Sequence, residues 1–284
     1  MKAAAQRNTR RHRVVNGLLI LVAILAATVP SAAECADWFG GTGRAAPLLL
    51  AAPKETGLQS RWGYTDNDES IWDFDIGSDI SVWQTGSSND AITISARFMI
   101  HSRFQFNSAS FNLWGSDFCG GLVAGRQWAE KYTGELFLYH ESSHLGDETM
   151  DQGIRKRIDC SLNGIRVLGF RTWQRGLTTY AGMSLQGVAE PSDIRGVGIH
   201  LGAQMTDLPP GGRGFLAMNS EWWDWRDWNP DVCLQAGVTL GSQCNPATQR
   251  AARLFLQVYS GRVQMWQFWD ETETSISIGM AHNW

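Results

Sequence analysis

The sequence predicts an all-β protein, an antiparallel transmembrane β-barrel of about 12 strands. Three observations lead to this fold class. Long segments alternate apolar and polar side chains, an export signal precedes them, and no later apolar run approaches the roughly 20 residues of a membrane-spanning helix. The 284 residues also include 30 Gly and 14 Trp but only 8 Pro, a composition that suits long strands with wide aromatic side chains.

The first 33 residues have the pattern of a secretory signal peptide. Five basic residues precede the apolar run GLLILVAILAATV, and the small residues Ser31 and Ala33 follow it, which predicts cleavage after Ala33. Removing residues 1–33 leaves 19 basic and 28 acidic residues, a net charge of −9. This acidic balance excludes nucleic acid as a partner.

Residues 34–56 lack sustained periodicity and contain Gly and Pro, so we expect a periplasmic lead-in rather than a separate domain. We expect the barrel to occupy residues 57–284. Its first alternating segment is IWDFDIGSDISV, in which Trp72 and Val82 belong to an apolar face and Asp73 to a polar one. Such segments are longer than the strands of most soluble sandwiches.

The same alternation continues to the end of the chain. It predicts twelve strands, an even number, as a closed bacterial barrel requires. The expected strands are 57–66, 71–84, 90–106, 114–128, 131–142, 157–171, 177–188, 195–206, 213–223, 231–241, 251–260 and 274–284. With both termini in the periplasm, the connections 143–156, 224–230 and 261–273 fall outside, and TWQRG and LPPGGR become periplasmic turns.

Tryptophan placement also favours an outer-membrane barrel, because the indole ring prefers membrane interfaces. The predicted periplasmic girdle contains Trp83, Trp128, Trp173 and Trp284, and the predicted outer girdle contains Trp72, Trp114, Trp222, Trp223, Trp266 and Trp269. The last strand, SISIGMAHNW, resembles the C-terminal signal by which such barrels are recognised for assembly. We therefore expect the barrel-assembly machinery and outer-membrane lipids as partners.

The five cysteines predict neither a disulfide nor a zinc site. Cys233 and Cys244 bracket a strand that would hold them apart, and Cys119 and Cys160 lie on strands separated by another strand. No Cys/His spacing is typical of zinc.

The candidate site lies in LFLYHESSHLGDE, residues 136–148. His140 and Ser142 share a strand face with Leu136 and Leu138, so an imidazole and a hydroxyl approach each other on the lipid side. A third group should orient the histidine. The candidates are Glu148, in a loop, and Asp159 and Asn163, which parity places on the lumen face with Ser161; the predicted catalytic set is His140, Ser142 and Glu148.

Two other interpretations of this segment stay open. His140, Ser142 and their polar neighbours would also form a hydrogen-bonded cap where the strand meets its loop. Alternatively, the oxygen ligands of Asp147 and Glu148 would suit calcium, although two carboxylates do not make a site on their own.

The stretch from RFQFNSASFNLWGSDFCGGLVAG to YHESSHLGDE resembles a bacterial family of unknown function, numbered 1207 among such domains. Its hallmark is Tyr-His-x-Ser-Ser-His-Leu-Gly-Asp-Glu, and the resemblance, which covers most of the mature chain, implies an outer-membrane barrel without an established activity. More distantly, His140-x-Ser142 resembles the catalytic His-x-Ser of the lipid A 3-O-deacylase and phospholipase A families. That resemblance implies His140 as general base and Ser142 as nucleophile, although Ser143 stands where those enzymes have asparagine.

The sequence thus supports three functions of different classes. The first is hydrolysis of lipid acyl esters at the outer leaflet. The second is a small pore, unless its inward charges pair and close it; these are Asp73, Asp75, Asp79, Arg97, Glu135 and Glu141. The third is glycan or lipopolysaccharide binding by the aromatic segment EWWDWRDWNP, residues 221–230.

Overall fold

The computed structural model describes residues 37–38, 44–67, 69–86, 90–107, 110–129, 131–153, 155–240 and 252–283. The expected signal peptide and Trp284 lie outside these ranges. Twelve long antiparallel strands close into a barrel, which confirms the predicted fold class. No helix in the described ranges is long and apolar enough to cross a membrane.

The barrel strands follow one another around the cylinder in chain order. A two-residue strand, β1 (Asp37–Trp38), pairs with β3, and one short helix, α1 (Asp147–Asp151), follows β6. The barrel strands are β2 (Gly57–Thr65), β3 (Ser70–Thr85), β4 (Ile92–Asn107), β5 (Ser110–Trp128), β6 (Tyr132–Leu145), β7 (Cys160–Thr172), β8 (Leu177–Glu190), β9 (Gly196–Leu208), β10 (Gly214–Trp223), β11 (Pro230–Leu240), β12 (Ala252–Arg262) and β13 (Thr272–His282).

The last strand closes the barrel against the first long one. β13 pairs with β2 from Ser275↔Thr65 to His282↔Leu58, so each long strand has two neighbours. We call the end that carries the connections 191–195, 224–229 and 263–271 the loop end. The opposite end, with 173–176 and 209–213, is the turn end.

The outward face of the strands is largely apolar. On β13, Ile276, Ile278 and Met280 are 59%, 61% and 59% exposed, whereas Ser277 between them is buried. Apolar side chains in this position are favourable in hydrocarbon and unfavourable in water. The two-residue alternation read from the sequence therefore separates the outward face from the lumen.

The lumen contains a network of paired charges. Arg97 donates to Asp79 at 2.6 Å and to Glu135 at 3.0 Å. Arg103 donates to Asp73 at 2.7 Å, and all five of these side chains are buried in the lumen. Asp75 pairs with Arg61 and Glu141 with Lys54, so each inward charge that the sequence offers as a pore lining has a partner of opposite charge.

Residues 44–56 lie inside the barrel, whereas the sequence predicts a periplasmic lead-in there; we call them the lumen segment. Leu50 is only 1% exposed. Leu48 and Leu50 pack against Phe215 and Phe255, and Leu49 packs against the lumen face of β7 and β8. The apolar run APLLLAAP thus packs against an apolar surface in the lumen, which favours burial of this segment inside the barrel.

Ion pairs hold the lumen segment at both ends. Arg44 Nη1 donates to Glu55 Oε1 at 2.9 Å within the segment and lies 3.6 Å from Asp79 Oδ2 on the barrel wall. At its other end, Lys54 Nζ contacts Asp117 at 2.5 Å and Glu141 at 2.8 Å on the barrel wall.

The connection 263–271 folds into the loop end instead of extending outward. Phe268 stacks on Trp114 with ring centroids 4.7 Å apart, and Trp266 is buried as well. Trp114, Trp223 and Trp266 are therefore buried, and their predicted place in an outer girdle is wrong. At the turn end Trp128 and Trp173 are exposed, as the predicted girdle requires.

Cys119, Cys160 and Cys233 are buried free thiols. Cys119 lies on β5 and Cys160 on β7, with β6 between them. Cys35 and Cys244 lie outside the described residues.

Candidate functional site

The candidate site is a polar patch on the outward face of β6 and β7, close to the loop end. The antiparallel register places His140 opposite Asn163 and Ser142 opposite Ser161. Side chains of directly paired residues point to the same face, with Cβ atoms about 5 Å apart. These four residues therefore form one cluster on the barrel surface.

His140 and Asn163 are hydrogen-bonded to each other. The distance from His140 Nδ1 to Asn163 Oδ1 is 3.0 Å, and both side chains are exposed. Because an amide oxygen only accepts, Nδ1 carries the hydrogen, which leaves Nε2 as an acceptor. The half-buried Ser142 lies two residues along the same face, about 7 Å away between Cα atoms.

The structure corrects the face that parity assigns to Asn163 and Ser161. Both point outward with His140, because Ile165 and Val167 pair with Leu138 and Leu136 of the outward face. The sequence is ambiguous here since the lumen face of β7 is also apolar: its Leu168 and Phe170 contact the lumen segment. Arg166 could have identified the lumen face of β7 from the sequence. It is a charged residue at an even-numbered position, and a charge is expected in the lumen instead of in lipid.

Glu148, the predicted third catalytic residue, lies elsewhere. It is exposed on α1, beyond the end of β6, and within the described chain the ring of His140 is hydrogen-bonded to Asn163. Asp159 is exposed just before β7 begins. The structure thus brings together His140, Ser142 and Asn163 and leaves Glu148 outside this group.

The polar patch has apolar surroundings and some open space. Phe118 of β5 pairs with Ser142 and contacts the His144 ring edge-on at 5.5 Å. Val188 of β8, opposite Asn163, is 62% exposed. The β7–β8 register shifts next to Asn163, and the extra residue, Gly187, has no atom within 4 Å of an added Cβ. A bulge of this kind often lies next to a functional site.

Behind the patch, an ion cluster holds β5 and β6 together from the lumen side. Asp117 accepts hydrogen bonds from Lys54 at 2.5 Å, from the Trp266 backbone N–H at 3.1 Å and from the Ser143 hydroxyl. Glu141, between His140 and Ser142 in sequence, also accepts from Lys54. The strand that carries the candidate residues is thereby tied to the lumen segment and to the loop-end connection.

A cavity of about 110 Å³ lies in the lumen beside this ion cluster. Its lining combines charged and aromatic side chains, including Lys54, Glu141, His200, Glu221, Trp223 and Trp266. The aromatic segment 221–230 contributes to this interior: Trp225 lies 5.9 Å from Trp269 and 6.3 Å from Trp223, ring to ring. Trp223 and Trp225 of this segment therefore contact other tryptophans, whereas Trp228 is exposed.

The described residues do not fit a calcium site built by the protein. They contain no group of three or more His, Cys, Asp or Glu side chains that could hold a metal ion. Asp147 and Glu148, the predicted ligands, are consecutive exposed residues on α1. Calcium is normally bound by six to eight oxygen ligands.

Solved structures with a similar fold are outer-membrane proteins. The outer membrane phospholipase (OMPLA) dimer of Salmonella typhi with bound calcium has a TM-score of 0.60 at 14% identity, covering 82% of this chain and 93% of that one. Outer membrane phospholipase A of Escherichia coli has a TM-score of 0.58 at 14% identity, covering 80% and 90%. At this identity the likeness shows the fold, an outer-membrane-type barrel.

An active-site mutant of the Escherichia coli phospholipase, in which asparagine is replaced by alanine, has a TM-score of 0.57 at 15% identity, covering 82% and 92%. No curated protein sequence matches the chain. The family model described as "Protein of unknown function (DUF1207)" matches residues 71–284, well over half of the sequence. The chain therefore belongs to this family.

Proposed function

We propose that this protein is a lipid acyl-ester hydrolase of the outer membrane, with Ser142 as nucleophile, His140 as general base and Asn163 as the group that orients His140. The observation that carries the proposal is the hydrogen bond from His140 Nδ1 to Asn163 Oδ1 on the face that also bears Ser142. It supplies the third group that a His-Ser pair needs.

The proposed reaction has two steps. In the first, His140 Nε2 removes the Ser142 hydroxyl proton while Oγ attacks the ester carbonyl carbon. The carbon–oxygen bond to the leaving alcohol then breaks, and the imidazolium returns the proton to that alcohol oxygen. In the second step His140 takes a proton from water, the hydroxide attacks the acyl-serine, and the proton returns to Ser142 Oγ as the fatty acid leaves.

The position of the patch favours a membrane lipid as the substrate. His140 and Ser142 lie five and three residues before the loop end of β6, which is roughly 10–17 Å along the strand. With the loop end outside, this depth corresponds to the outer leaflet near its ester groups. The exposed apolar side chains of Phe118 and Leu138 would contact the acyl chains.

Outer membrane phospholipase A shares the barrel fold of this chain, and this likeness of fold is consistent with the proposal. In that enzyme, replacement of an asparagine by alanine produces an active-site mutant. Here an asparagine binds the candidate base.

The proposal also includes the predicted location and partners. Residues 1–33 would direct export, and the C-terminal strand would be recognised by the barrel-assembly machinery. Outer-membrane lipids would surround the apolar outward face. The pore alternative has less support, because the inward charges are paired and the lumen segment lies between them.

The test is fatty-acid release from phospholipid and from lipopolysaccharide by the refolded protein, with and without calcium. We expect release that is lost in Ser142→Ala. The matched control is Ser260→Ala, since Ser260 is an exposed serine near the loop end of β12, away from the patch. Release that persists in Ser142→Ala would show that Ser142 is not the nucleophile, and no release from folded protein would favour the polar cap.

A further inference from the structure

Four arginines are almost completely buried in the lumen, and one of them differs from the others. Arg61, Arg97, Arg103 and Arg253 are each at most 2% exposed. Arg61 binds Asp75 at 2.8 Å, and Arg97 and Arg103 bind two carboxylates each. The contacts of the fourth arginine, Arg253, are different.

Arg253 has no acidic partner among the described residues. No carboxylate of these residues lies within 4.0 Å of its guanidinium, and its Nε and Nη1 atoms are buried without a hydrogen-bond acceptor. Glu55 acts on it electrostatically, but the Glu55 carboxylate is bound to Arg44 at 2.9 Å. The aromatic ring of Phe215, 5.7 Å from the guanidinium carbon, provides only a weak cation–π contact.

Other buried groups without partners lie in the same row of the barrel. Thr239 pairs with Arg253, Arg253 with Ala281, and Ala281 with Gln59, so these four residues share one level of the lumen face. Thr239 Oγ1 and both amide atoms of Gln59 are buried without a partner. Ala281, between Arg253 and Gln59, has only a methyl group, so no long side chain separates these two residues along the barrel wall.

A guanidinium keeps its charge in proteins, and a buried charge without a counter-charge is strongly unfavourable. Hydroxyl and amide donors next to such a group complete the chemistry that recognises an oxyanion, because the planar guanidinium fork matches two oxygens. We propose that Arg253, Thr239 and Gln59 bind a small oxyanion, a phosphate or carboxylate group, in the turn-end part of the lumen.

This site is independent of the proposed hydrolase site. Arg253 is the second residue of β12 and faces the lumen near the turn end, whereas Ser142 faces outward near the loop end. An anion that reaches Arg253 would enter from the side of the turns. The site would therefore serve a ligand of the compartment that the turn end faces, not the lipid substrate.

Equilibrium dialysis of the refolded protein against radiolabelled inorganic phosphate, at constant ionic strength with chloride as the background anion, tests the proposal. We expect saturable binding of one phosphate per barrel, and loss of binding in Arg253→Met. Arg253→Lys should bind at least tenfold more weakly, because it keeps the charge but loses the fork. Arg171→Met, which removes an exposed arginine near the turn end, should bind as the wild type does.

Competition with acetate distinguishes the two groups that could occupy the site, a phosphate and a carboxylate. Displacement of phosphate by acetate would show that the site accepts a carboxylate, and a lack of displacement would restrict it to phosphate.

If Arg253→Met does not fold, Thr239→Val, which removes one hydroxyl at nearly constant volume, should fold and bind several-fold more weakly. No phosphate binding by the wild type, or equal binding by Arg253→Met or Thr239→Val, would overturn the proposal.

Discussion

Asn163 and Glu148 are rival candidates for one role, the orientation of the His140 imidazole. The amide oxygen of Asn163 fixes the hydrogen on Nδ1, whereas Glu148 is exposed on α1. We expect Asn163→Ala to lower kcat for fatty-acid release by roughly 10- to 100-fold, less than His140→Ala, because loss of the base itself removes about 10²–10⁴-fold. Glu148→Gln should leave kcat unchanged. Initial rates of release from one lipid substrate measure all three.

The opposite ranking would count against the proposed site. If Glu148→Gln lowered kcat and Asn163→Ala did not, the third group would be the carboxylate first expected from the sequence. The hydrogen bond between His140 and Asn163 would then belong to a polar cap of the strand end.

Lys54 balances two buried carboxylates, and this position allows a prediction about stability. Lys54→Met leaves Asp117 and Glu141 without their ammonium partner, which should lower the free energy of unfolding by about 3–5 kcal/mol. Arg155→Met is the control, since its partners Asp270 and Glu271 are half-exposed, and the loss should be below about 1 kcal/mol. Urea unfolding of the refolded proteins measures both. Equal losses would mean that the cluster around Asp117 is solvated.

At the scale of elements, the barrel strands follow from the sequence and the lumen does not. β13 is predictable because Ile276, Ile278 and Met280 alternate with small or polar residues. The lumen face of β7 is harder to predict, because Leu168 and Phe170 on that face are apolar and contact residues outside the strand. Their partner is the lumen segment, and a contact between residues more than 100 positions apart leaves no periodic signal.

Contacts between distant parts of the chain also explain why the sequence predicts the wrong place for some tryptophans and only part of the candidate site. Trp114 and Trp266 suit an interface by composition, but the inward fold of 263–271 is a tertiary feature. His140 and Ser142 share a face by their two-residue spacing, which the sequence reveals directly. Asn163 joins them through the register of β6 with β7, and no spacing along the chain encodes that register.

The lumen segment itself leads to a prediction about permeability. Its apolar side chains fill space between the barrel walls, so the wild type should be electrically silent in planar bilayers. Deletion of residues 44–56, or Leu49→Ser with Leu50→Ser, should replace apolar contacts with water and produce measurable conductance. Heat-modifiable mobility in gels verifies that each variant is folded. A wild type that conducts as strongly as the deletion would restore the pore alternative.

For the whole molecule, the proposal requires one orientation in the membrane. Lys156 is exposed in the connection that follows β6 at the loop end, and Gln174 is exposed in a turn at the other end. In intact cells, a membrane-impermeant maleimide should label Lys156→Cys and not Gln174→Cys, and both should react after the outer membrane is opened. The wild type measures the background from native cysteines. The reverse pattern would place the patch of His140 and Ser142 in the inner leaflet.

The pairing of β13 with β2 has a consequence for how the protein is made. The pairing of Leu58 with His282 spans almost the entire barrel sequence, so the cylinder cannot close until β13 has been synthesised. Such distant pairing makes folding slow, and before closure both terminal strands expose unpaired edges that can join other chains. A chain that stops before residue 272 should therefore aggregate instead of forming a smaller barrel, which makes the eleven residues of β13 necessary for closure of the cylinder.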